Sequence, residues 1–273
     1  MKIVVFDLDE TLGYFTQFGI FWDCLNNYVK RIYNYTLTQR DFNHILDLYP
    51  EFLRPNIINI LNYLKNKKHT KCCHKMMIYT NNQGPKEWAH HIVSYFESKI
   101  KYRVFDQIIS AFKINGKRVE ICRSSHDKTH EDFIKCTKIP INAEICFLDD
   151  SFYPEMANDN IYYINLKPYY HDLKFEEMIV TFKNSEIGKM ILNNDMNDEN
   201  NYEKQMIADF TKYNYEIIEK KPDEYDIDKI LGKQIMTHLH VFFNKSSKNK
   251  SRTNNQGKTR KHMANKRNKT LKH

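Results

Sequence analysis

Lys2-Ile3-Val4-Val5-Phe6-Asp7-Leu8-Asp9-Glu10-Thr11-Leu12 is the stretch that decides the fold. Its apolar, β-branched first half reads as a buried strand of a parallel sheet. The run ends in two carboxylates one residue apart. Side chains at i and i+2 of an extended strand point the same way, so Asp7 and Asp9 are expected to leave the sheet together at its carboxyl edge. That edge is where open α/β sheets bind ligands. Two carboxylates pressed into a poorly solvated crevice repel, and the usual remedies are a shared proton or a divalent cation. Mg²⁺ suits all-oxygen ligands and leaves room for a phosphate. The plainer alternative is a pair of acidic turn or capping residues.

Further strands can be placed around this one. Lys75 to Tyr79 is followed by Thr80-Asn81-Asn82-Gln83-Gly84-Pro85 and a helix from Lys86 through Phe96. Phe105 to Ala111 leads, through a variable connection, to the polar loop Ser124-Ser125-His126-Asp127-Lys128-Thr129 and a helix at His130 to Cys136. Ala143 to Leu148 stops at a second acidic pair, Asp149-Asp150, and Ile161 to Asn165 supplies a fifth strand. The alternation predicts an α/β, Rossmann-like core of about five parallel strands flanked by helices. Between the first two strands, Phe18, Phe21, Trp22, Leu25, Val29 and Tyr33 recur at helical steps, which predicts a small helical insertion over residues 14–50. Arg54-Pro55 then opens a helix, with proline where a missing amide costs little.

Asp7-Leu8-Asp9-Glu10-Thr11-Leu12 resembles the signature of the haloacid dehalogenase superfamily of phosphohydrolases, and its wording is closest to the branch that dephosphorylates the RNA polymerase II C-terminal domain. The Arg54-Pro55 helix start, Thr80 after the second strand and the second acidic pair resemble that family's later motifs. The resemblance implies Asp7 as nucleophile and Asp9 as general acid and base. It implies substrate-binding donors at Thr80, from Asn81 on, and at Lys128, with Lys113, Lys117 and Arg123 as alternatives for the lysine. It also implies Mg²⁺ held by Asp7, the carbonyl of Asp9 and Asp150, with Asp149 behind them holding the lysine or a metal-bound water. In members that carry one, an insertion such as residues 14–50 caps the active site. The overall wording also resembles members encoded by large DNA viruses.

The resemblance covers residues 1–172. Residues 173–243 read as a helical appendage: Phe175 to Phe182, Ile187 to Leu192, Tyr202 to Tyr215 and Asp226 to Phe242, with an Asn/Asp-rich break at Asn193 to Asn201. Residues 244–273 contain eleven of the 42 Lys/Arg and none of the 34 Asp/Glu, so residues 1–243 carry 31 basic against 34 acidic residues, a net −3. This tail is expected to be disordered and to favour nucleic acid or acidic protein without sequence preference. With no signal peptide or membrane span and six cysteines in no metal-binding spacing, the chain is expected in a reducing intracellular compartment, cytoplasmic or nuclear, rather than secreted or membrane-bound.

The expected activity is Mg²⁺-dependent hydrolysis of a phosphomonoester, with a phosphoprotein as substrate. A polynucleotide 3′-phosphatase and a small-metabolite phosphatase are alternatives. A partner-docking scaffold with vestigial catalysis is the alternative of another class.

Overall fold

In the computed structural model, which describes residues 1–192 and 199–245, five strands form one all-parallel sheet. The expected tail lies, from residue 246 on, outside the described residues, as do residues 193–198 of the Asn/Asp-rich break. The strands are β1 (Lys2–Phe6), β2 (Lys75–Tyr79), β3 (Gln107–Ile109) and, after a small hairpin of β4 (Lys113–Ile114) and β5 (Lys117–Arg118), β6 (Glu144–Asp149) and β7 (Ile161–Asn165). Their order in space is β3-β2-β1-β6-β7. The chain steps outward from β1 to β3 and then returns to the other side of β1. At that reversal the loops leaving β1 and β6 diverge and open a crevice at the carboxyl edge.

Alternate side chains of β1 enter two cores. Val4 and Phe6 join Met76, Ile78, Cys146 and Leu148 in the larger apolar cluster, whereas Ile3 and Val5 join Met77, Tyr79, Ile145 and Phe147 in the smaller one. Burial on both faces is why the run shows no polar alternation. The small core is closed by Phe133 of α5 (His130–Thr137). The large core is covered by α1 (Thr16–Tyr33), α2 (Gln39–Leu46), α3 (Ile57–His69) and α4 (Lys86–Ile100), and further out by α6 (Phe175–Asn184) and α7 (Glu186–Ile191).

Residues 14–50 therefore form two helices, α1 and α2. Phe15, Phe18, Phe21 and Trp22 are buried in the large core, and one edge of α1 faces the crevice side of the sheet. Beyond the sheet, α8 (Glu199–Thr211) packs on α1, with Tyr202 and Met206 buried, and α9 (Pro222–Asn244) packs on α3 and β7. Lys2 Nζ donates to the carbonyls of Phe242 (2.6 Å), Phe243 (3.2 Å) and Lys245 (3.1 Å), tying the start of β1 to the end of α9. Cationic groups suit the carbonyl end of a helix. Cys122 and Cys136 form a disulfide, a pairing that the expectation of a reducing compartment did not include. Among the described residues, no helix is long and apolar enough to cross a membrane.

Gly232 lets α9 approach α3, because a Cβ there would lie 2.3 Å from the Pro55 carbonyl oxygen. Gly232→Ala should push α9 outward and lower stability by about 1–3 kcal/mol. Urea unfolding followed by circular dichroism, with limited proteolysis of α9, checks this; an unchanged midpoint and cleavage pattern would contradict it.

Candidate active site

The chain does not continue straight after β1. The strand ends at Phe6, and residues 8–13 fold into a tight turn in which Leu12 N–H donates to the Leu8 carbonyl (2.9 Å) and Glu10 N–H to that of Gly13 (2.7 Å). Glu10 sits in the left-handed region (φ 57°), and a Cβ at Gly13 would lie 2.4 Å from the Phe52 carbonyl oxygen. Arg54, 1% exposed, holds this turn by donating to the carbonyls of Thr11 (2.7 Å), Glu10 (2.5 Å) and Lys167 (2.9 Å). Burial lowers the pKa of its guanidinium to about 10, so Arg54 remains charged at neutral pH.

The turn, rather than a continued strand, carries the second member of the first acidic pair. Asp7 and Asp9 lie beyond the end of the strand, Asp9 within the turn, yet both face one hollow at the carboxyl edge, each held by its own partner. Asp7 Oδ1 accepts from Lys128 Nζ (2.5 Å), and Asp9 Oδ2 accepts from Asn82 Nδ2 (2.8 Å). Lys128 reaches in from the other side of the crevice, 1% exposed, and also donates to Asp149 Oδ2 (2.6 Å). The second oxygen of Asp149 accepts from Ser151 N–H (2.9 Å), while Asp150 Oδ1 accepts from the Thr11 hydroxyl (3.0 Å). Lys128 stands immediately before Thr129, whose hydroxyl caps α5 by accepting from Asp132 N–H.

Thr80 lies at the end of β2 with its hydroxyl oxygen accepting from Asn82 N–H (2.9 Å), so the hydroxyl can still donate its own proton. Asn81 is held on both sides: its Nδ2 donates to the Tyr153 hydroxyl (2.9 Å), and its Oδ1 accepts from Arg123 Nη2 (2.8 Å). Arg123 is fully buried and also donates to the carbonyls of Thr80 (3.0 Å), Ser110 (3.0 Å) and His126 (2.9 Å). It thus joins the loop after β2 to the loop that carries Lys128.

Asp7, Asp9, Thr80, Asn81, Lys128, Asp149 and Asp150, all drawn from the sequence, line a single hollow of about 270 Å³ together with Glu10, Asn82, Ser151 and Tyr153. Of the alternatives to Lys128, Lys113 and Lys117 lie on the hairpin, and Arg123 braces the loops from behind. A second hollow, about 360 Å³, adjoins the first and shares Asp9 and Asn82 with it.

The described residues lining the first hollow include five carboxylates, Asp7, Asp9, Glu10, Asp149 and Asp150, and one ammonium, Lys128. Burial dominates the titration of Asp7, Asp9, Glu10 and Asp149. Desolvation, with the neighbouring Asp7 charge, lifts Asp9 to about 7, and desolvation lifts Asp149 to about 7 against the pull of Lys128. Asp7 is raised by the same burial. Burial acts to lower Lys128, but the two carboxylates outweigh it and hold the ammonium charged. Ligand oxygens of Asp7, Asp149 and Asp150 lie within 4.8 Å of one another. An all-oxygen donor set of this kind fits a hard divalent cation such as Mg²⁺ rather than a thiolate- or imidazole-seeking metal. Lys128 and Ser151 engage both oxygens of Asp149, so Asp7 and Asp150 are the better-placed ligands.

Compared with protein-family models, with curated proteins and with solved structures, the chain matches none.

In the metal-free protein, a carboxyl raised on folding binds its proton more tightly in the native state. Its contribution to stability is therefore lost as pH rises from about 4, the unfolded value, towards the folded value of about 7. Asp9→Asn removes that loss, so the variant should gain stability relative to the wild type from pH 4 to 7 and level off above. Paired melting curves in chelator check this. A constant difference across that range would show that Asp9 ionises normally.

Proposed function

We propose that the chain is a Mg²⁺-dependent phosphomonoester hydrolase of the haloacid dehalogenase type, acting through an aspartyl-phosphate on Asp7. The observation that carries this reading is the charge imbalance around Asp7. Each contact at 4 Å between like charges costs about 4 kcal/mol at an effective dielectric constant of 20. Even with Asp9 protonated as the acid, the remaining carboxyl groups outnumber the one ammonium and oppose a phosphate dianion unless a divalent cation intervenes. Asp7 and Asp150 would hold Mg²⁺, which when bound would neutralise charge on the transferred group and draw it towards the nucleophile.

The protein's own residues supply the rest. An Asp7 carboxylate oxygen attacks phosphorus, and the bond to the leaving oxygen breaks as Asp9 delivers its proton there. Asp9, now a carboxylate, takes a proton from the water that attacks the aspartyl-phosphate, which releases phosphate and restores both side chains. Lys128, fixed by Asp149, keeps a positive charge beside Asp7 throughout, and the Thr80 hydroxyl donates to a phosphoryl oxygen. Asn82 orients Asp9 towards the boundary of the two hollows. The phosphoprotein, polynucleotide and small-metabolite readings share this chemistry and differ only in the leaving group.

Release of phosphate from p-nitrophenyl phosphate should require Mg²⁺ and vanish in Asp7→Asn. Asp9→Asn should slow turnover by about 10² to 10⁴, and Lys128→Ala by about 10² to 10³. Acid quenching of Asp9→Asn during turnover should leave a phosphoryl group on the peptide that contains Asp7, detectable by mass spectrometry. Full activity in Asp7→Asn would refute the assignment.

A further inference from the structure

We infer that the second hollow, a groove between α1 and α4, receives the leaving group of a small phosphomonoester whose body is aromatic or apolar and whose far end is positively charged. The inference rests on Asp9 as the acid that protonates the leaving oxygen. Asp9 and Asn82 line both hollows, so a group departing from Asp9 has this groove as its neighbour. A further hollow borders Lys128 and Tyr153 but does not include Asp9.

The groove has two kinds of wall. Phe15, Ile20, Trp22 and Trp88 provide an apolar, largely aromatic floor. Gly19 allows the Trp88 indole to come close to α1, since a Cβ there would lie 3.3 Å from its ring. Around this floor stand Asp23 and Glu87, with Asp9 at the inner end; no described lining residue is Lys or Arg, and burial lowers the pKa of the lining His91, which favours its neutral form. Asp23 and Glu87 are exposed at the mouth. Aromatic faces and carboxylates both attract a cation and both repel an anion. A volume of about 360 Å³ is of small-molecule size, whereas a polynucleotide would bring further phosphates to the acidic mouth.

The chain's two tryptophans, Trp22 and Trp88, both line this groove, so their fluorescence reports its occupancy. Benzylammonium, benzyl alcohol and benzoate serve as probes that carry no phosphoryl group. Benzylammonium should give a saturable change, and benzoate should bind at least about tenfold more weakly. Asp23→Asn combined with Glu87→Gln should weaken benzylammonium about fivefold, the scale of two partly solvated charge contacts. Gly19→Leu should abolish the response while the circular dichroism spectrum and melting transition show a folded protein. In turnover, aminomethylphenyl phosphate should exceed carboxyphenyl phosphate in kcat/KM by about tenfold.

No saturable response to benzylammonium, or equal or tighter binding of benzoate, would overturn the inference. So would tighter binding of a 3′-phosphorylated oligonucleotide in competition with benzylammonium. Because the probes need no hydrolysis, failure of the groove and failure of the phosphatase reading separate cleanly. Selective binding without phosphate release from any substrate would end the phosphatase reading, and with it the leaving-group role, and leave a cation-selective aromatic site.

Discussion

The buried ammonium of Lys128, set between the carboxylates of Asp7 and Asp149, is the interaction on which the carboxyl edge depends. It joins three segments far apart in sequence: the end of β1, the approach to α5 and the end of β6. A lone ammonium or carboxylate at this depth would cost several kcal/mol in lost hydration, so neither side of the contact is stable without the other. The geometry is therefore an all-or-none arrangement. Once the sheet brings β1 and β6 side by side, a cation must enter between their acidic ends, and the cap of α5 delivers one.

Two arginines complete the frame without facing the hollow. Arg54 fastens the turn that carries Asp9, and Arg123 fastens Thr80, Asn81 and the loop before Lys128. Both spend their planar donors chiefly on backbone carbonyls. A guanidinium suits this role because its fixed fork can satisfy several carbonyls at once, which an ammonium on a flexible stem does less rigidly. The candidate site is thus built from loops, but loops held with the rigidity of regular structure.

Much of this was legible in the sequence. Buried parallel strands are short apolar runs, and the residue where each run turns polar marks the edge where chemistry collects. Asp7 and Asp149-Asp150 stand out on that ground, whereas Thr80 and Lys128 were singled out by the family resemblance. The turn that carries Asp9 was not legible, because Glu10 takes a left-handed conformation there that no Gly announces. Arg123 appeared as a rival to Lys128, since both are cations in one polar stretch and only burial and partners separate their roles. The pairing of Cys122 with Cys136 and the seating of α9 on Pro55 depend on long-range proximity, which local periodicity does not encode. Gly232 was the available signal for the latter, an unadorned position in the middle of an otherwise well-formed helix.

The bond between Lys2 and the last turn of α9 bears on the order in which the molecule can be completed. Synthesis proceeds from the amino end, so all five strands emerge before the helix that closes over the start of the first. Until residue 245 is available, Lys2 lacks its carbonyl partners and the surface around Pro55 lacks its cover. The nascent sheet therefore waits with one flank open, and α9 acts as the closing piece of a structure whose carboxyl edge comes from segments already synthesised.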